Sequence, residues 1–124
     1  VNEGFMKVDG YFLNEKLVGF SSEIQQKDKL YSYFVGFDKV LNKNFPLYGR
    51  ILLENITSAI KLSKQQLILG RTANEYKSNF GAIPLRSFVY IKVKNKFLSA
   101  ILKPVLGRIR INDWVQRKPF KNDK

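Results

Sequence analysis

The 124-residue chain contains no cysteine and no histidine, and these two absences remove several kinds of chemistry. Without cysteine the chain has no disulfide bond, no thiolate nucleophile and no thiolate metal ligand of its own. Without histidine it cannot build a Ser-His-Asp triad or a histidine-bound zinc or iron site. Any catalytic group must therefore be a carboxylate, a tyrosine, a hydroxyl, a lysine, an arginine or a backbone amide, and we predict no metal site.

Acidic residues are also scarce. The ten Asp and Glu residues stand against 22 Lys and Arg, which leaves a formal net charge of +12. This excess predicts an anionic partner, which could be nucleic acid such as tRNA, a phosphate-bearing cofactor or an anionic lipid surface. No apolar run approaches the roughly 20 residues that a transmembrane helix needs. We therefore expect a cytoplasmic protein with no transmembrane segment and no signal peptide.

The order of apolar segments predicts an α/β fold of the layered α+β kind with a mixed sheet. Three antiparallel strands are expected within residues 6–37, because polar turns at 14–16 and 26–29 separate β-prone runs. Pro46 then opens a long helix, about 46–63. Its predicted buried stripe consists of Leu52, Ile56, Ala59 and Ile60. The remaining predicted elements are strand 65–70, short helix 73–80, strand 87–94 and a helix of about 95–103 that Pro104 ends.

The most informative stretch of the chain reads QQLILGRTANEYKSNFGAIP. The apolar run Leu67–Leu69 is typical of a strand buried on both faces, and Gly70 breaks it. Thr72 and Glu75 have the spacing of a capping box, and Gly81 stands where a left-handed helix cap is needed. A strand that feeds a helix through a sharp turn is common in α/β folds, where ligands bind at the carboxyl ends of strands.

The part of this stretch that reads LGRTANEYKSNFGAIP resembles the GRTA-x-E-x-K-S-x-x-GA-x-P segment of bacterial GNAT-like proteins related to Fem-type aminoacyltransferases. The predicted element order is similar to the later part of the GNAT acyltransferase fold, and the resemblance covers about residues 10–85. It implies a GNAT-like domain over residues 1–112, without the usual N-terminal strand and helices, followed by a basic tail at 113–124. Surface left exposed by those helices predicts a homo-oligomer.

The resemblance implies a transferase that moves an acyl or aminoacyl group from an anionic donor to an amine. The donor would be acetyl-CoA or another acyl-CoA. Its pantetheine arm would run along the end of the third predicted strand, and its pyrophosphate would bind amides at the start of the long helix. The matching positions are Phe34, Val35, Gly36, Phe37, Leu47, Tyr48, Gly49 and Arg50.

Two residues are candidates for catalysis. Tyr76 lies near the position of the tyrosine that acts as general acid in GNAT enzymes, and Glu23, late in the second strand, is a candidate base, with Glu54 as a further carboxylate. A tyrosine packed in the core and a solvent-exposed glutamate are the alternative interpretations. For the whole chain, the alternative is a non-catalytic basic module that binds nucleic acid or anionic lipid, or an assembly domain of a larger protein.

Overall fold

The computed structural model describes residues 6–108 and 113–120, and four strands in it form one mixed sheet in the order β1-β2-β3-β4. Neighbouring strands among the first three are antiparallel, whereas β4 runs parallel to β3. The α/β class and the three antiparallel strands expected within residues 6–37 are therefore confirmed. The strands are β1 (Lys7–Leu13), β2 (Lys16–Gln25), β3 (Lys29–Phe37) and β4 (Gln66–Ile68).

The hairpin between β1 and β2 closes through a two-residue turn. Asn14 and Glu15 have φ values of 48° and 65°, and the flanking residues Leu13 and Lys16 pair directly. Two successive left-handed residues make the type of tight turn whose twist matches that of a hairpin. The polar turn predicted at residues 14–16 therefore closes the first hairpin, and a bulge on β2 shifts the register between Tyr11 and Phe12.

The helix α1 (Leu47–Lys61) joins β3 to β4 and packs on the sheet. Ile51 and Leu52 are almost completely buried, together with Leu30 of β3. Part of the predicted buried stripe is wrong, because Ile60 is 71% exposed. Ile60 lies about 100° around the helix from buried Ala59, which turns it away from the sheet.

The stretch after α1 forms less regular structure than predicted. β4 contains only three residues and lies at the edge of the sheet, so Leu67–Leu69 is half-buried and not buried on both faces. The predicted capping box of Thr72 and Glu75 is wrong. The helix α2 (Asn74–Ser78) begins after Ala73, which has a φ of 53° and makes no side-chain cap. The start therefore falls one residue later than the box requires.

The last described helix, α3 (Lys96–Gly107), begins as predicted, with Asn95 Oδ1 accepting hydrogen bonds from the amides of Phe97 and Leu98. The prediction that Pro104 ends it is wrong, because the helix continues to Gly107. A proline at this position removes only one helical hydrogen bond, close to the end of the helix. The predicted strand 87–94 is also wrong, since these residues have no regular secondary structure. Their β-prone side chains find no neighbouring strand within the described residues, and β-propensity depends on such packing.

The chain divides into two compact units at the Thr72–Ala73 bond. The first unit contains the sheet and α1, and the second contains α2, α3 and the described part of the predicted tail. Within the second unit, the amide of Arg117 donates to Ser78 Oγ at 3.0 Å, and Gln116 Nε2 donates to the carbonyl of Ala82 at 3.0 Å. Residues 1–5 and 109–112 of the predicted domain, and 121–124 of the predicted tail, lie outside the described residues.

Candidate functional site

The strands β3 and β4 make only a short parallel contact, because β4 ends at Ile68. They pair only from Lys29 to Tyr31 on β3, opposite Gln66–Ile68. β3 continues to Phe37, and no other strand of the described residues pairs with this edge beyond Tyr31. The open edge carries backbone donors and acceptors that a ligand could use. It includes the four residues of β3 that were predicted to contact a donor, Phe34, Val35, Gly36 and Phe37.

A bulge interrupts β3 just beyond the residues that pair with β4. Ser21 of β2 pairs with Val35, but Glu23 pairs with Ser32, so β3 contains one residue more than β2 over this interval. Ser22 Oγ accepts a hydrogen bond of 2.9 Å from the amide of Phe34, which compensates for the interrupted ladder. An extra residue reverses the alternation of side chains between the two faces of a strand.

The bulge turns both ends of β3 toward α1. Ser32 Oγ donates to Asn55 Oδ1 at 2.8 Å, and the Phe37 ring stacks on Tyr48 with a centroid distance of 5.3 Å. Residues five positions apart would lie on opposite faces of a regular strand. The structure thus brings together the two parts of the predicted donor site, the end of β3 and the first turn of α1.

The amides at the start of α1 already have partners inside the chain. Asn42 Oδ1 accepts from the amide of Tyr48 at 2.9 Å, and the carbonyl of Phe45 accepts from the amide of Leu47 at 2.6 Å. Arg50 donates from Nη2 to Glu54 at 2.5 Å. The neighbouring Gly49 is buried. An anion bound to the amide of Tyr48 would therefore have to displace Asn42, a residue that the sequence analysis did not identify.

Glu23 lies in a buried polar network between the sheet and α1. Its side chain accepts from Asn55 Nδ2 at 2.9 Å through one oxygen and from Ser58 Oγ at 2.9 Å through the other. Glu23 is only 2% exposed, so the interpretation as a solvent-exposed glutamate is wrong. Buried carboxylates need such partners, because an unpaired charge is costly to remove from water.

A small polar cleft of about 150 Å³ opens beside this network. The side chain of Lys7 donates to Asp9 at 2.8 Å, and this hydrogen bond raises the pKa of the Lys7 amine. Tyr11 makes a 3.1 Å hydrogen bond with Ser21 Oγ, and partial burial raises the pKa of its phenol. The cleft therefore holds three carboxylates, a phenol and an ammonium group close together. Its lining residues are Lys7, Asp9, Tyr11, Glu23, Glu54 and Ser58.

Tyr76, the candidate acid, belongs to the second unit, whereas Glu23 belongs to the first. The Tyr76 side chain is exposed and lines an open cleft of about 410 Å³ with Glu75, Asn79 and Arg117. Arg117 donates to Glu75 at 2.9 Å. The interpretation of Tyr76 as a residue buried in the core is therefore wrong, although its ring lies 5.8 Å from that of Phe80.

The residue next to Tyr76 is a buried lysine. Lys77 is 5% exposed, and loss of hydration lowers the pKa of its amine. A buried amine with a lowered pKa can hold or release a proton closer to neutral pH than an exposed lysine.

Comparison with protein-family models, curated proteins and solved structures found no match. Within the described residues, no group of three or more Asp or Glu side chains is placed to hold a metal ion, and no helix is long and apolar enough to cross a membrane. The contacts of this chain therefore carry the functional argument.

The sequence analysis missed the partners of Glu23. Asn55 interrupts the apolar stripe of α1 between Leu52 and Ala59, and a polar residue at a sheet-facing helical position is a usable signal. Ser32 gave no such signal, because the face it takes depends on the bulge. Nothing in the sequence pattern indicated that Lys7 and Tyr11 would flank the same carboxylate.

Proposed function

We propose that this chain is a GNAT-like acyltransferase domain, which transfers an acyl or aminoacyl group from an anionic donor such as acetyl-CoA to an amine. The observation that carries the proposal is the open edge of β3 beyond Tyr31, because this strand ends beside the first turn of α1, where Phe37 stacks on Tyr48. An extended amide-bearing donor arm can hydrogen-bond along such an open strand edge, as an added strand would. This is the arrangement that the resemblance to GNAT enzymes implies for the donor.

The reaction needs an oxyanion-stabilising amide and a base. The amine nitrogen attacks the acyl carbon and forms a new carbon–nitrogen bond. The bond between the acyl carbon and the donor sulfur or oxygen then breaks. Backbone amides along the open edge of β3 are suited to stabilise the negative charge that develops on the carbonyl oxygen. Glu23 is the proposed acceptor of the amine proton, directly or through a water in its cleft. The leaving sulfur or oxygen takes its proton from solvent.

Binding of the donor phosphates is the step that the structure allows us to test most sharply. Lys39, Lys43 and Arg50 supply positive charge on the loop and first turn of α1. A diphosphate at this helix start would compete with Asn42 for the amide of Tyr48. Changes at Asn42 should therefore alter donor affinity in opposite directions, depending on the charge they leave behind.

The experiment is calorimetry of acetyl-CoA and coenzyme A against two variants of Asn42. Asn42→Asp can still accept the Tyr48 amide but repels a diphosphate, and we expect about fivefold to tenfold weaker binding. Asn42→Ala frees the amide, and donor affinity should be equal or higher. Asn95→Asp, the same change at the N-cap of α3, is the matched control and should leave affinity unchanged. The proposal fails if no binding is detected at about 1 mM acetyl-CoA, because a Kd of that size already corresponds to weak association.

A further inference from the structure

Positive charge is concentrated in the second unit. Residues 73–124 contain twelve Lys and Arg against three Asp and Glu, whereas residues 1–72 contain ten against seven. Between Glu75 and Asp113 there are eight basic residues and no acidic residue. A long stretch with one sign of charge attracts an anionic surface more strongly than scattered charges do.

The helix α3 combines this charge with an exposed apolar face. Phe97, Leu98, Ile101 and Val105 are exposed. At 100° per residue these four side chains fall within about 100° of arc, and Lys103 lies on the opposite side of the helix. Helices of globular proteins normally bury such a face, so its exposure in this chain requires a partner.

The segment that precedes α3 is exposed in the same way. Phe88, Val89, Tyr90 and Ile91 have no strand partner in the described part of the chain, and Tyr90 is 92% exposed. Basic residues adjoin this segment on both sides, at Arg86, Lys92 and Lys94. Contiguous exposed apolar surface of this extent marks an interaction site on a folded protein.

We propose that α3 and residues 88–91 bind the surface of a membrane rich in anionic lipid. With twelve residues, α3 is about 18 Å long at 1.5 Å per residue. The hydrocarbon core is about 30 Å thick, so α3 would lie in the plane of the interface. Its apolar face would enter the acyl boundary, while Lys103 stays on the water side. Aromatic side chains such as Tyr90 favour the headgroup level.

Two other partners fit these observations less well. Single-stranded RNA binds basic proteins through phosphate contacts and stacking on aromatic rings. Leu98, Ile101 and Val105 are aliphatic and offer no ring to a base. A second copy of this chain would bring two strongly basic surfaces together without any carboxylate between residues 76 and 112 to receive them. An anionic bilayer satisfies both the charge and the aliphatic face.

The first test compares the same substitution on two helices. Ile101 on α3 is 51% exposed and Ile60 on α1 is 71% exposed, so Ile60→Asp is a matched control for Ile101→Asp. Cosedimentation would use phosphatidylcholine vesicles with or without about 30% phosphatidylglycerol. We expect binding to the anionic vesicles, a loss of about tenfold or more in Ile101→Asp, and a change within about twofold in Ile60→Asp.

The second test measures insertion into the membrane directly. It does not require the fold to tolerate an aspartate at position 101. Because the chain has no cysteine, Ile101→Cys and Ile60→Cys can each be labelled at a single site with a polarity-sensitive fluorophore. Anionic vesicles should shift the emission to the blue at position 101 only, and the shift should survive salt that screens surface charge. The proposal is overturned if the protein does not bind the vesicles, or if the labels at positions 101 and 60 respond alike. It is also overturned if tRNA displaces the protein from the vesicles while Ile101→Asp binds them as tightly as the natural chain.

Discussion

Asn55 and Glu23 are joined by a 2.9 Å hydrogen bond between α1 and β2, and both residues are almost completely removed from solvent. The same asparagine accepts from Ser32 Oγ at 2.8 Å, so one amide satisfies polar groups from two strands. Each partner has limited choice of orientation, because a glutamate carboxylate only accepts and an asparagine amide both donates and accepts. Asn55 therefore fixes how α1 sits on the sheet.

Replacement of this asparagine should be costly. Asn55→Ala leaves the Glu23 carboxylate and the Ser32 hydroxyl with one partner fewer in a buried site, and we expect a loss of about 2–4 kcal/mol in unfolding free energy. Urea unfolding measures it. Asn44→Ala, at an exposed position, is the control and should change stability by about 0.5 kcal/mol or less. Equal costs for the two variants would contradict the role assigned to Asn55.

The two glycines with positive φ separate backbone strain from packing. Gly70 has a φ of +70° and an open space around its missing Cβ, whereas Gly81 has a φ of +80° and the Phe120 ring where a Cβ would lie. Alanine at either position should cost about 1 kcal/mol from the left-handed backbone alone. Gly81→Ala should cost more, because Phe120 must also move.

A double-mutant cycle with Phe120→Ala isolates that second part. The extra cost of Gly81→Ala over Gly70→Ala should shrink to within about 0.5 kcal/mol when the ring is absent, as expected for two residues that interact directly. Thermal or urea unfolding of six proteins gives the values: the natural chain and Phe120→Ala, each alone and with either glycine substitution. An undiminished difference would mean that Phe120 does not pack on Gly81.

The parts of the fold that depend on local chemistry could be predicted from the sequence. The polar turn at Asn14 and Glu15 predicted the first hairpin, and the helical spacing of apolar residues predicted α1, with its ends within two residues. These signals act within a few residues of each other. The wrong prediction at Thr72 shows that such a signal depends on the exact position, because a helix start one residue later removes the capping box.

The parts that depend on distant partners could not be predicted. The network at Glu23 joins residues separated by up to 35 positions, and Ser32 belongs to it only because a bulge turns that strand. The predicted strand 87–94 has the right residue types, yet β-prone residues form a strand only beside another strand. Residue type therefore predicted Glu23 as a candidate, but its burial required the structure.

The stability of the second unit should depend on the charge of Lys77. Loss of hydration lowers the pKa of this amine in the folded chain below its ordinary value of 10.5. At neutral pH the amine is charged in the unfolded chain, and its burial opposes folding. As pH rises through the lowered folded pKa toward 10.5, the folded chain loses the proton before the unfolded chain does, so this residue's contribution to stability increases.

Lys77→Met removes the titration and keeps the apolar bulk of the side chain. We expect the stability of the variant relative to the natural chain to be greatest near neutral pH and to fall steadily as pH approaches 10.5, because the natural chain is then relieved of the buried charge. The pH dependence of the difference isolates the charge, whatever contacts the substitution also alters. Lys61→Met, at an exposed position on α1, is the control for the loss of a lysine side chain. Urea unfolding at several pH values measures both, and a flat profile for Lys77→Met would show that the amine is hydrated in the folded protein.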